Sequence, residues 1–401
     1  MPNGDKRVLL ALSGGGYRAM LFHVGALWKL NEIGELARVT HVSSVSGGSI
    51  AAGVLAMNWR HLEFEGGVAT NFRDQVADPL MRLARWPLDV PASASAFLPF
   101  CSAAQTMEFF YKRILFGNTT LGDLPKSPRF TFNATNLQTG ALWTFERDTM
   151  GDETLGALPA TSIPLARAVT ASSAFPPFLA PLVLRPEAVR WAPYPHSFSE
   201  LRSYDNLAIR AAGVPRRLPE SFRRRVVLVD GGIADNLGVL SLWRSEGDLY
   251  ISDGGGAAGA QRRPAHNWLC QLIRIVNLIH DQPSQLRANR SKAEMADRDQ
   301  GGSRSRSPRG KGDGAVWNMH WPPEEHGDDP AFQSLKKADW ATLARTRTAL
   351  WTMRPKLQMC LINWGYVACN RSLPYVNRLF LIRPPGSAFK ELLPFPEARS
   401  R

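Results

Sequence analysis

Cysteine is scarce in this chain: four in 401 residues, at Cys101, Cys270, Cys360 and Cys369, with no Cys-x-x-Cys pair and no zinc-like Cys/His spacing. That excludes a disulfide-stapled scaffold and a zinc module, and it fits reduced thiols. Nowhere does an apolar run approach the ~20 residues that a membrane span requires. The first residues pass from Lys6 and Arg7 straight into Val8–Leu12 and glycine, without the longer apolar run and cleavage site of a secretory signal. The expectation is a cytoplasmic protein that meets a membrane only peripherally; export by a route needing no cleaved signal stays open. No internal repeat is present. Acidic residues are outnumbered, 35 against 48 basic, and the resulting formal charge of +13 implies attraction to a polyanion, either nucleic acid or an anionic lipid surface. The absence of a zinc finger, an RNA-binding sheet motif or a basic leucine zipper weakens the nucleic-acid alternative.

What is present is ample core material: 44% hydrophobic residues and 12 tryptophans, in a chain long enough for one large domain or two ordinary ones. Val8–Leu12 reads as a strand buried on both faces, followed by the glycine loop Ser13-Gly14-Gly15-Gly16-Tyr17-Arg18 and a helix from Ala19 to Ile33. Strand, glycine loop and helix start form an anion-receiving geometry, because backbone N–H groups converge and the helix end adds positive potential. No Gly-Lys-Ser/Thr follows, so a Walker loop is excluded; Gly14, Gly16 and Ala19 fit a dinucleotide fingerprint, a weak match when it stands alone. The remaining reading is an oxyanion hole.

That reading gains from a second strand-turn-helix unit close behind. Val39, Val42 and Val45 suit a strand, Ile50–Met57 suit a helix, and Ser46 sits between them, flanked by small residues. The spacing is that of a nucleophile elbow, in which the residues two before and two after the serine must be small; these are Ser44 and Gly48, and Ser44 departs from the usual glycine. A helix beginning at Gly47 would aim its positive end at Ser46. A Ser/Gly-rich turn without chemistry has the same local pattern. Farther on, the strand Arg223–Val229 delivers Asp230 into Gly231-Gly232, where a buried general base could sit; an aspartate that only bonds its own turn reads alike.

Taken together, Ser13-Gly14-Gly15-Gly16-Tyr17-Arg18, Val45-Ser46-Gly47-Gly48 and Val229-Asp230-Gly231-Gly232-Ile233-Ala234-Asp235-Asn236 resemble, in content and order, the three motifs of the patatin-like phospholipases. Ala171–Pro177 resembles a segment that those enzymes pack beside the nucleophile, and Leu361–Cys369 resembles a closing helix of bacterial members, so the likeness spans nearly the whole chain. The resemblance implies a three-layer α/β/α fold with a mainly parallel central sheet and a helical C-terminal half, read here as one domain over 1–401. It implies a Ser46–Asp230 dyad cleaving fatty-acyl esters of phospholipids or related lipids through an acyl-enzyme. Gly14, Gly15, Gly16 and Gly47 would form the oxyanion hole, with Arg18 and Asn236 supporting the loop or binding substrate, and neither metal nor organic cofactor required. The alternative is a catalytically inactive binding protein for anionic lipid or nucleic acid; a dinucleotide enzyme is the third reading.

Several residues compete with these. Asp253, before Gly254-Gly255-Gly256, is a second Asp-glycine turn and a rival acid. A Ser-His-Asp triad would need a histidine, and His266, His280, His320 and His326 follow the acid, none in a distinctive turn; His23 and His41 read as satisfied core or surface histidines. Other expectations are helices over 71–86, 104–115, 162–174, 268–288, 338–351 and 355–369, a hairpin from 129 to 145, and a connector over 87–100 that could contact lipid. A flexible basic loop is expected over 297–314; between Arg287 and Lys311 eight basic residues face three acidic ones.

Overall fold

The structure, a computed structural model, describes residues 7–95, 102–177, 179–186, 191–195, 218–243, 245–255, 314–320, 342–373 and 393–398. The expected helix over 268–288, the end of the connector at 97–100, most of the basic loop over 297–314, and His266, His280 and His326 lie outside these residues.

β1 (Val8–Leu12) leads into α1 (Gly16–Glu32), and β2 (Val39–Val45) into α2 (Gly47–Asn58). β1 is wholly buried because both faces are covered. Val8, Leu10 and Leu12 join the large core, whereas Leu9 and Ala11 join a second core with Leu237, Val239 and Leu242. This two-residue alternation of an entirely apolar strand is what a central position in a three-layer α/β/α fold demands. A short ribbon of β3 (Phe64–Glu65) and β4 (Val68–Ala69) precedes the helix expected over 71–86, which runs through 72–83 as a π-helical stretch at Arg73–Ala77 continued by α3 (Asp78–Leu83). α4 (Asp89–Ser95) occupies the stretch expected as a connector, and α5 (Ala103–Tyr111) starts from a capping box between Ser102 and Gln105.

The expected hairpin is β5 (Arg129–Asn136) with β6 (Leu142–Phe145), and β7 (Thr149–Asp152) and β8 (Gly156–Pro159) extend it. α6 (Leu165–Ser173) and β9 (Leu182–Leu184) follow, then α7 (Ser221–Arg224) and β10 (Val226–Asp230). α8 (Gly232–Asp235) precedes β11 (Asp248–Asp253) and β12 (Gly314–Asn318); α9 (Pro355–Ser372) is the last long helix among the described residues. In the sheet, β12, β11, β1, β2 and β5 are parallel neighbours, while β6, β7 and β8 continue antiparallel on one side of β5, and β10 and β9 also run antiparallel.

Of the helix expected over 338–351, the described part turns at 342–344 and then bends away, because Leu350 exchanges hydrogen bonds with Asp89 instead of continuing the helix. α9 packs on α1 at backbone contact: a side chain at Gly25 would meet Ile362 O, and one at Gly365 would meet Phe22 O. Gly25→Val is therefore expected to lower stability by roughly 3 kcal/mol or more, read as a fall in urea midpoint, since backbone cannot yield as a side chain would.

Candidate active site

Ser46 lies between β2 and α2 with φ 50° and ψ −117°, and among the described residues no other non-glycine has positive φ. Such a conformation costs on the order of 1–3 kcal/mol and persists only where its surroundings enforce it. Here they do. Gly48 must lack a side chain, because a Cβ would strike Leu12 O and lie 2.7 Å from Ser13 O, and its N–H donates to Ser13 O at 3.1 Å. Beneath the turn runs a ladder of hydroxyls. Ser46 N–H donates to Ser172 Oγ (3.0 Å), Ser172 Oγ meets Ser49 Oγ (2.8 Å), Ser49 donates to Ser44 Oγ (3.0 Å), and Ser44 donates to Thr131 O (3.2 Å). Ser44 is therefore a polar support that glycine could not supply.

Asp230 reaches the same place along β5. Val45 pairs with Asn133, and the next residue of β5, Ala134, pairs with Asp230. The parallel strand carrying the serine and the antiparallel strand carrying the aspartate thus end head to head. Asp230 is 2% exposed, and its Oδ1 accepts the Gly232 N–H at 2.8 Å. Its N–H donates to Ala174 O (2.9 Å), Thr135 Oγ1 donates to its carbonyl (2.8 Å), and Gly231 N–H donates to Ser172 O (3.2 Å). Ser172 thereby holds both strand ends, Ser46 through its hydroxyl and Gly231 through its carbonyl. Nearby, Tyr111 bonds Ser173 Oγ at 3.3 Å; burial drives its phenol far above the ordinary range against that bond, and the Asp89 and Asp230 carboxylates add to the rise.

The glycine loop lies against this junction, and its donors divide in a way that corrects the expected oxyanion hole. Gly14 N–H is spent on Asn236 O (3.0 Å), so Gly14 shapes the loop without donating to a substrate. No acceptor among the described residues takes the N–H of Gly15, Gly16 or Gly47. Gly16 and Gly47 begin α1 and α2 and pack together, so two positive helix ends converge beside Ser46. Arg18 is buried, its Nη1 donating to Thr346 O (2.7 Å) and Nε to Gly254 O (3.4 Å), which makes it an internal brace. Asn236 is buried with its Oδ1 against Gly14, a position from which Ser46 Cβ is also close.

The rival residues are engaged elsewhere. Asp253 turns its Oδ1 to Gly255 N–H (2.9 Å), on β11 and across β1 from the serine strand. Asp235 accepts from Leu237 and Leu240 N–H, capping the single 3-10 turn at Leu240–Leu242. His41 contacts Thr131 Oγ1 and His320 contacts Gly255 O, each at 2.8 Å.

His23 has a part that sequence inspection missed. Its Nε2 lies 2.9 Å from Ser13 O and its Nδ1 2.8 Å from Ser252 Oγ, which also accepts the Trp317 indole N–H at 2.8 Å. Because the indole can only donate, the Ser252 proton points to Nδ1 and Nε2 carries the imidazole proton toward Ser13. His23 thus anchors the glycine loop in its neutral form. Burial lowers its pKa from 6.5 to about 4, the bond to Ser13 opposing.

A family model described as patatin-like phospholipase matches residues 10–243, more than half of the chain. The chain belongs to the patatin-like phospholipase family. No curated protein matches it significantly in sequence. Among solved structures, a human GIVD cytosolic phospholipase A2 bound to methyl gamma-linolenyl fluorophosphonate is 15% identical, with 92% of this chain and 60% of that chain covered at TM-score 0.44. VipD from Legionella pneumophila is 16% identical, with 93% and 67% covered at TM-score 0.37. ExoU from Pseudomonas aeruginosa, solved with SpcU, is 17% identical over 43% and 39% at TM-score 0.24. The chain thus spans well under the full length of each. Family membership rests on the sequence model and not on these distant likenesses.

The buried imidazole has a measurable consequence. Above pH 6.5 neither the folded nor the unfolded chain protonates His23; between 6.5 and about 4 only the unfolded chain does, so stability falls as pH falls through that window. The loss from this residue is expected to be on the order of 3 kcal/mol. Urea midpoints of the parent should drop more steeply between neutral pH and about pH 4 than those of His23→Gln.

Proposed function

We propose that this patatin-like protein is a serine acyl hydrolase that cleaves fatty-acyl esters of phospholipids or related lipids through a Ser46–Asp230 dyad. The single observation that carries this reading is the forced positive φ of Ser46 at a strand-to-helix turn whose neighbour along β5 is Asp230. In this mechanism the Asp230 carboxylate accepts the Ser46 proton as Oγ attacks the ester carbonyl. The developing oxyanion is met by the N–H groups of Gly15, Gly16 and Gly47 at two helix starts. Asp230 then returns the proton to the departing alcohol, leaving an acyl-serine; a water deprotonated by the same carboxylate attacks the acyl carbon, and Asp230 passes that proton to Ser46 Oγ as the fatty acid leaves. No step requires a metal or an organic cofactor.

Residues 1–401 act in this reading as one hydrolase domain, supported by β12 and α9, which lie beyond the family match yet pair with β11 and pack on α1. The positive charge of the chain favours an anionic membrane, met peripherally from the cytoplasm; no helix among the described residues is long and apolar enough to cross one. The competing reading, a lipid- or nucleic-acid-binding protein without activity, would leave the strain at Ser46 without a use.

Ser46→Ala is expected to abolish both labelling by a fluorophosphonate probe and hydrolysis of phospholipid and simple esters, with the circular dichroism spectrum unchanged. Asp230→Asn should lower kcat by about 10²–10⁴, whereas Asp253→Asn should stay within a few-fold of the parent. Activity retained by Ser46→Ala overturns the assignment.

A further inference from the structure

The chain buries Trp143, Trp317 and Trp364 almost completely, yet Trp86 is 53% exposed and Trp351 52%, with Val90 at 46%. Although far apart in sequence, their segments are laced together. Met353 N–H donates to Ala84 O (2.8 Å), Asp89 N–H to Leu350 O (3.3 Å), and Leu350 N–H to Asp89 Oδ2 (2.8 Å). The resulting strap lies on the glycine loop. Tyr17 N–H donates to Ala349 O (3.1 Å), Tyr17 OH to Trp86 O (3.1 Å), and Arg18 Nη1 to Thr346 O. Both indoles therefore leave the surface beside the loop that borders Ser46.

The charge on the strap is of one sign. Arg82, Arg85, Arg345, Arg347, Arg354 and Lys356 are all exposed, and the one carboxylate in these segments, Asp89, is turned inward to Leu350. Indole rings beside guanidinium groups match the chemistry of a water–lipid boundary, where the rings settle at headgroup depth and the cations meet phosphates. Against a nucleic acid the cations would serve, but the exposed indoles and Val90 on the same strap would face a polar backbone.

We infer that the strap formed by residues 82–90 and 345–356 is the face on which this protein docks to an anionic lipid bilayer, bringing the mouth above Ser46 to the acyl esters. Its purpose rests on the hydrolase reading, but binding and hydrolysis are read separately.

Full-length protein carrying Ser46→Ala, so that no lipid is consumed, is floated with phosphatidylcholine vesicles and with phosphatidylcholine/phosphatidylserine vesicles. Trp86→Ala combined with Trp351→Ala should lower partition onto both kinds by roughly tenfold. Arg345→Gln combined with Arg354→Gln should lower partition onto the mixed vesicles by roughly tenfold and flatten its salt dependence. With Ser46 intact, both double variants should hydrolyse a soluble short-chain ester at the parent rate. Partition equal to the parent in both double variants, or capture of an RNA oligomer in preference to mixed vesicles, overturns the docking face. Strap-dependent vesicle binding by a protein that hydrolyses no ester would leave the docking face standing and remove the hydrolase reading.

Discussion

One side of β5 must serve two strands, and the rest of the site follows from how they share it. β6 occupies the opposite side, so β2 takes the first half of the free edge and β10 the second, arriving from the other direction. Where two strand ends abut, backbone donors and acceptors lose their regular ladder partners and need others. Side chains fill the gap: Asn133 Nδ2 donates to Ser44 O (2.9 Å), Thr135 to Asp230 O, and Ser172 takes both ends. Such polar joinery, buried and bonded, fixes the register in which the ends of β2 and β10 meet on β5.

The energetic burden of the site is local and is met locally. A left-handed serine is held by a helix start on one side, by Ser13 and Gly48 on another, and by the hydroxyl ladder below. His23 extends that support outward through Ser252 to Trp317, linking the glycine loop to the end of β11 and to β12. The strap through Trp86 and Trp351 is tied to the start of α1 at Tyr17 and Arg18.

Much of this could be read before any coordinates. β1, β2 and the turns after them were legible because apolar runs ending in glycine carry a strong local signal; α2 starts at the expected Gly47, whereas α1 starts at Gly16, three residues before the expected Ala19. Asp230 and Asp253 look alike in sequence, since both end apolar strands before glycines; only β-pairing, a non-local property, shows that Asp230 pairs on the strand that also carries the partner of Val45. The spent N–H of Gly14 was invisible for a similar reason: its acceptor is the carbonyl of Asn236. His23 looked like an ordinary core histidine, and no local pattern couples position 23 to positions 252 and 317. Ser172 lies in the Ala171–Pro177 segment that the resemblance places beside the nucleophile, but its double role depends on two strands from elsewhere.

The family match ends at residue 243, and the packing does not. α1 is covered by α9 through glycines whose backbones touch, and the first turn of α1 is tied to Ala349 and Thr346. An excised segment ending near the match would keep every group assigned to catalysis while stripping the wall against which its anion-receiving turn is moulded. Chemistry and architecture therefore have different borders in this protein, and β12, α9 and the segment around Ala349 belong to the scaffold of the earlier part.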